Sequence, residues 1–460
     1  MDDTIVKKIA EIVGEDWVAS DEDMIAGYLK DETVPSLVPE CSQNSIVVKP
    51  ADTQETAEVM KYANKNKIPV VPRGSGTGLV AGAVPTKESI ILSTERLNNI
   101  KEVDTENFTA TCGSGVTLEQ LLERLNEEDN IFFPIHPGDE GATLGGMVIN
   151  NAGGARAVKH GVMRNHVRGV EFVTPTGEVI QAGGKTLKNV AGYDLLHLII
   201  GSEGTLGIIT EVIVSVEPEP KHQATLLVSF ENRQDAISAV PEIMKIGSKP
   251  LAVEYIERDM AEMAAEHLGE NWPAEKGNVD LMIVLAEIEQ DLLYDIAMKI
   301  ETICQELGSV DSVIAERQEE QDSILTVRSN IDTATNKEDL ADDVDAAVPP
   351  AYIDDFLSDL LEVYQEFGAK LSAYGHAADG NLHIYIYKED GEVPEYYQEL
   401  KKRFYETTLK YGGTIAAEHG IGKTKKEDMP MQISEYEINL MKNIKKVFDP
   451  NDIMNPDTIF

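Results

Sequence analysis

Glycine placement constrains this chain more than any other feature. Its glycines gather in four stretches, residues 74–82, 138–154, 183–192 and 201–207. Only glycine lets a backbone approach a ligand or another strand at any φ. Four such clusters in the first half predict loops packed around something bound. Between them run short β-rich segments and helices. SIVVKP (45–50) and IPVVP (68–72) read as strands around a helix at TQETAEVMKYANKNK (53–67). FTATCGSGV (108–116) reads as a strand before the helix TLEQLLERL (117–125) and the apolar IFFPIHPG (131–138). VEFVTPTGEVI (170–180) reads as a hairpin closed at Thr176-Gly177.

The pattern breaks at 217-EPEPK-221, where two prolines and charges mark a domain boundary. Beyond it the strand-like ATLLVSF, LAVEYI and DLMIVLAEI alternate with helices starting near 232, 258 and 290. This alternation predicts a second α+β domain around an antiparallel sheet. Residues 433–448 form an amphipathic closing helix, stopped at Asp449-Pro450. A chain of 460 residues is too long for one core. The expected division is 1–218, in two subdomains meeting near residue 100, then 219–410, then a C-terminal segment 411–460.

Charge narrows the partners. Lys and Arg number 40 against 81 Asp and Glu, a formal charge of −41. That field repels phosphate backbones and anionic lipid, so nucleic acid is excluded as a partner. The acidic surface serves solubility or the docking of a basic partner protein. Cys41, Cys112 and Cys304 lie far apart without CxxC spacing, which suits neither an iron–sulfur cluster nor a disulfide framework. The opening MDDTIVKKIAEIVGEDW reads as an acidic amphipathic helix, not a signal peptide. No apolar run approaches the roughly 20 residues that span a bilayer. A soluble, cytoplasmic protein is expected.

The loop 72-PRGSGTGLVAGAVP-85 invites comparison with GxGxxG and fails it. Counted from Gly74, the third glycine position holds Leu79, and Gly82 and Pro85 follow where a helix should open. The amides of Gly74 to Gly78 can still form an anion-binding nest, with Arg73 beside them. Two further glycine loops follow, 137-PGDEGATLGGMVINNAGGARAVKHG-161 and 201-GSEGTLGIITEV-212. In this arrangement the chain resembles, over nearly its whole length, the vanillyl-alcohol-oxidase-like (PCMH-type) FAD flavoproteins. Within them it resembles the D-lactate dehydrogenase and glycolate oxidase catalytic-subunit branch.

The resemblance implies an α+β fold. It comprises a two-part PCMH-type FAD-binding domain, an α+β cap domain with an antiparallel sheet, and a helical C-terminal segment returning to the first domain. It places the first two glycine loops around the FAD pyrophosphate and the third near the flavin. The implied FAD contacts are Arg73, Gly74, Ser75, Gly76, Thr77, Gly78, Gly138, Thr143, Gly145, Gly146, Gly204 and Ile208. Asn455, in the terminal MNP, falls near the flavin ring. Any single glycine here can equally serve tight packing. Members that bind FAD covalently often carry a histidine where this loop has Thr77, so FAD is expected to be non-covalent.

The C-terminal half carries the chemistry. 373-AYGHAADGNLHIYIY-387 reads as two strands joined by a turn at Asp379-Gly380, with His376 and His383 flanking it. Facing side chains in a hairpin have Cβ atoms about 5 Å apart, which suits two imidazoles on one metal at about 2.1 Å each. Residues 417-AEHGIGKTKK-426 add Glu418 and His419. Two histidines and a carboxylate make an open site for Zn²⁺ or Fe²⁺, although each histidine alone reads as structural. By resemblance His376, His383 and Glu418 bind the metal and His419 is the base. Arg328, in 325-LTVRSNI-331, matches the family's substrate arginine; its plain reading is a surface helix arginine paired with acids.

These parts suit oxidation of a small D-2-hydroxy acid, D-lactate to pyruvate. A metal lowers the alcohol pKa, an imidazole takes the proton, and the C2 hydride passes to flavin N5. A guanidinium fork holds the carboxylate. Relatives that handle longer dicarboxylates carry a lysine where this chain has Asp343 and an asparagine where it has Tyr385, which favours a small monocarboxylate. The alternatives are glycolate oxidation by the same machinery, a non-redox flavin-dependent transferase of related fold, and a binding subunit without chemistry. The chain carries no haem motif, cluster cysteines or second nucleotide fold, so an external electron-acceptor protein is expected. Here it resembles lactate dehydrogenase subunits that pair with an electron-transferring flavoprotein, in some bacteria by electron bifurcation.

Overall fold

The strands Ile46–Val48 and Val70–Arg73 flank the helix Thr53–Asn66, whose N-cap Asp52 accepts the Glu55 N–H. They belong to a computed structural model that describes residues 1–460. Ile90–Ser93 lies between them in the sheet, paired parallel to both, and the short Val18–Ala19 adds an antiparallel edge. All of Ile46–Val48 is buried, as a parallel strand covered on both faces must be.

A five-stranded antiparallel sheet follows, in the order Ile100–Asp104, Thr109–Gly113, Ile208–Ser215, Val167–Val173, Val179–Gly183. The hairpin turn forms at Thr174–Glu178, where Gly177 takes a φ of +83°. The apolar IFFPIHPG yields only the two-residue strand Ile131–Phe132, paired with Glu217–Pro218. Pro134 and Pro137 have no N–H to extend that ladder.

Beyond the proline break lies a seven-stranded, wholly antiparallel sheet. Its order is Ser309–Ala315, His222–Phe230, Val279–Glu287, Ala252–Glu257, Ala373–His376, Asn381–Tyr387, Leu340–Ala347. The helices Arg233–Met244, Gln290–Glu306, Ile353–Phe367 and Tyr397–Lys410 pack on one face through the largest core cluster. This is the α+β architecture the sequence implies. Strand alternation then decides the site. Val253, Tyr255, Leu382, Ile384, Val344 and Ala346 point into that core. Their neighbours Glu254, His383, Tyr385, Asp343 and Asp345 therefore share the opposite face.

The chain closes with the helix Glu435–Phe448, capped by a reciprocal Ser434–Glu437 box. Phe448 meets Phe172 edge-on, and Met454 bridges Val70. The C-terminus thus returns to the first domain. No helix is long and apolar enough to cross a membrane.

Candidate active site

A cleft with about 1110 Å³ of open space is lined by Gly74 to Gly78, Thr143, Gly146 and Asn455, together with Glu418 and His419. Glycine is required at two points of its first loop. A Cβ on Gly74 would lie 2.1 Å from Thr143 Oγ1, and one on Gly76, at φ +83°, 2.1 Å from the Arg73 guanidinium. A backbone this closely nested leaves its amides free for phosphate oxygens, so the cradle fits a dinucleotide. Arg73 itself turns away from the cleft. It donates to the carbonyls of Lys30 at 2.7 Å and Gly27 at 3.1 Å and packs over the Tyr28 ring, bracing the loop from behind. Gly145 presses on Ser114 and Gly204 on Pro72. Ile208 lies in the core of the first sheet. Gly138 sits between the lining residues Pro137 and Asp139. Asn455 is held from two sides, donating to Glu203 O at 2.9 Å and accepting from Lys423 Nζ at 3.1 Å.

The metal candidates come together on the polar face of the large sheet. His376 pairs with Asn381 and His383 with Tyr374, so the two histidines are diagonal neighbours and not the directly facing pair the symmetric motif suggests. Their ring centroids lie 5.7 Å apart, nearly perpendicular. Glu418 arrives from the C-terminal segment, and the ligand atoms of all three lie within 4.8 Å of one another. Small side-chain adjustments would let the three hold one divalent ion. Burial, with the charges of His419 and His376, pushes the His383 imidazole down to about 3. Burial also raises the Glu418 carboxyl, but the hydrogen bond and charge of His376 outweigh it and hold it at about 2. A neutral imidazole and an ionised carboxylate are the forms a cation binds.

Asp345, His383 and His419 form a second cluster, but Asp345 is already committed. Its Oδ2 accepts the backbone N–H groups of Ala417, Glu418 and His419 at 3.0, 2.9 and 2.9 Å, and its Oδ1 accepts Asn381 Nδ2 at 2.8 Å. Asp345 is a loop clamp. Glu203 clamps the same loop from the first domain, accepting the N–H groups of Ile421 at 2.9 Å and Gly422 at 2.6 Å. Gly154 N–H donates to Glu418 Oε1 at 2.6 Å. The His419 ring stacks on His383, with centroids 5.4 Å apart.

Arg328 lies in the last turn of the helix Gln318–Ser329, its side chain only 12% exposed and turned in from the surface. Its guanidinium lies over the Tyr374 ring and its Nε donates to Glu254 Oε2 at 2.8 Å. Asp343 Oδ1 is sealed from solvent without a hydrogen-bond partner. Burial, against the pull of His419, pushes this carboxyl up to about 7. Tyr385 Oη donates to Tyr374 Oη at 3.1 Å. Sequence reasoning missed Glu203, Glu254 and Asp345. The one local signal was the acid inside a glycine motif at Glu203; Glu254 and Asp345 share their strands with other acids.

Residues 44–183 match the FAD binding domain family and residues 219–459 the FAD linked oxidases, C-terminal domain family. A D-lactate dehydrogenase of Archaeoglobus fulgidus is 40% identical over 94% of this chain and 95% of its own length. A glycolate oxidase subunit of Bacillus subtilis is 33% identical over 91% and 89%. The solved structure of p-cresol methylhydroxylase matches with a TM-score of 0.78 at 18% identity, covering 99% of this chain and 96% of that one, a likeness of fold. The chain belongs to the FAD-linked oxidases, in their D-lactate dehydrogenase and glycolate oxidase branch. It is an FAD-linked oxidoreductase.

Proposed function

We propose that the protein oxidises D-lactate to pyruvate, with Arg328 holding the substrate carboxylate and His419 taking the hydroxyl proton. The observation that carries this reading is the convergence of His419 and Glu418 on the glycine-lined cleft and of Glu418 with His376 and His383. When bound, FAD supplies a two-electron acceptor and a divalent ion, Zn²⁺ or Fe²⁺, supplies Lewis acidity toward the hydroxyl oxygen. Gly74 to Gly78 and Thr143 would hold the cofactor without a covalent link, and His376, His383 and Glu418 the ion. The stack on His383 fixes the plane of the His419 ring, so its free nitrogen meets the hydroxyl in one orientation.

Asp343 and Tyr385 support a small substrate. A second carboxylate reaching them would meet the Asp343 carboxyl, whose Oδ1 has no hydrogen-bond partner, at a desolvation cost that pyruvate's precursor avoids. Electrons then leave through an external protein, an electron-transferring flavoprotein pair by resemblance. The −41 charge offers an acidic surface for docking. Glycolate is the second reading, supported by the Bacillus subtilis relative.

Anaerobic titration of the purified protein with D-lactate, L-lactate, glycolate and D-2-hydroxyglutarate tests this. D-lactate should bleach the flavin stoichiometrically and fastest, and L-lactate should not. Faster bleaching by glycolate selects the second reading. Absence of bleaching by all four would point instead to the transferase alternative.

A further inference from the structure

Glu254 sits mid-strand between Val253 and Tyr255, at 0% exposure, directly across the ladder from His376. Its Oε1 and Oε2 lie 2.8 and 2.9 Å from His376 Nδ1, and its Oε2 also accepts Nε and Nη2 of Arg328. A carboxylate enclosed in an apolar strand persists only with partners that compensate its charge. Glu254 has two, one from each half of the substrate site.

Both contacts have directional consequences. A hydrogen bond to one imidazole nitrogen fixes which nitrogen keeps its lone pair for a cation. With Nδ1 donating to Glu254, Nε2, the nitrogen 3.8 Å from Glu418 Oε1, is the one that would present a lone pair to a cation. The Nε–Nη2 edge of Arg328 is likewise spent on Glu254. Nη1 makes no hydrogen bond within the chain, and Tyr374 covers the guanidinium face at 4.9 Å. The fork is therefore held in one plane with Nη1 left for an anion.

We infer that Glu254 is a positioning residue that sets the metal-binding tautomer of His376 and the orientation of Arg328 together. It acts only through those two side chains. The inference rests on His376 as a metal ligand and Arg328 as the carboxylate holder. Without the Glu254 charge, Arg328 becomes an uncompensated buried cation next to a cation site, and His376 loses the acceptor that fixes its proton.

The test uses chelator-stripped, FAD-loaded protein titrated with Zn²⁺ in a calorimeter, with steady-state kinetics on D-lactate alongside. Glu254→Gln should keep its FAD, bind Zn²⁺ about 10–100-fold more weakly and show a raised KM. Glu254→Asp, which keeps the charge, should recover part of both losses. Should Glu254→Gln fail to fold because Arg328 is stranded, the paired variant Glu254→Gln with Arg328→Gln removes both charges and should still bind Zn²⁺ weakly. Parent Zn²⁺ affinity and KM in Glu254→Gln would overturn the inference and leave the metal site standing. A parent protein that binds no Zn²⁺ removes the metal site, and the inference with it.

Discussion

Asp345 and His419 are joined through the backbone, the Asp345 Oδ2 accepting the His419 N–H at 2.9 Å. The stretch that presents His419 has no regular secondary structure. It hangs from the second domain by Asp345 and from the first by Glu203, so its placement depends on both domains. Charge-assisted bonds to backbone N–H are about twice as strong as neutral ones, which explains how an irregular loop can hold the His419 ring still.

Asp345→Asn should expose that dependence. The side chain keeps its size but loses the charge shared by the loop amides and Lys425, whose Nζ lies 3.9 Å away. We expect unchanged FAD content, a stability loss of about 1–3 kcal/mol, and flavin reduction by D-lactate slowed at least tenfold. Stopped-flow reduction and thermal unfolding measure these. A parent-like reduction rate would show that the loop is held by other contacts.

FAD should be released intact on acid precipitation. The cradle at Gly74 to Gly78 and Thr143 offers backbone amides and a hydroxyl, and Thr77 stands where a covalent link would need a histidine. Flavin absorbance should appear wholly in the supernatant. Yellow colour retained by the pellet contradicts the non-covalent assignment.

Much of this arrangement is legible in the sequence because it is local. The glycine loops, the strand–helix alternation after the proline break, and the pair Glu418-His419 each occupy a few consecutive residues. The rest depends on pairings across long separations. Glu254 meets His376 122 residues away, Asp345 meets His419 at 74, and Glu203 meets Ile421 at 218. In sequence each is one acid among many. The diagonal placement of the two histidines follows from the register His376↔Asn381, which the turn sets and the residue types do not. Arg328 reads as exposed because its helix is acidic; only the sheet beneath it supplies Glu254.

Glu257 should make stability fall with rising pH. Burial pushes its carboxyl up to about 7, against the weaker pull of the Ala373 N–H at 3.3 Å, the Tyr255 hydroxyl at 3.2 Å and the charge of Arg233. An unfolded glutamate titrates near about 4.3. Between those values the folded chain holds a proton that the unfolded chain has released, so stability declines across this window and the loss is complete above 7. Glu257→Gln has no proton to lose. The unfolding free energy of the variant relative to the parent should rise by about 2–3 kcal/mol from pH 5 to pH 8. Denaturant unfolding at the two pH values checks it, and a pH-independent difference would mean the carboxyl is solvated.

His419 and Arg328 should separate chemistry from binding. The His419 ring lines the cofactor cleft and stacks on His383, while Arg328 lies over Tyr374 against Glu254. His419→Asn removes the proton acceptor but keeps a polar side chain, so metal and FAD should remain while flavin reduction slows by about 10²–10⁴-fold. Arg328→Lys keeps the charge but loses the planar fork. It should raise the D-lactate concentration needed for half-maximal reduction more than it lowers the limiting rate. Rapid-reaction measurements across a D-lactate series give both quantities for each variant. A parent-like limiting rate in His419→Asn would move the proton acceptor elsewhere. A pure rate loss at unchanged half-saturation in Arg328→Lys would show that the carboxylate is held by another group.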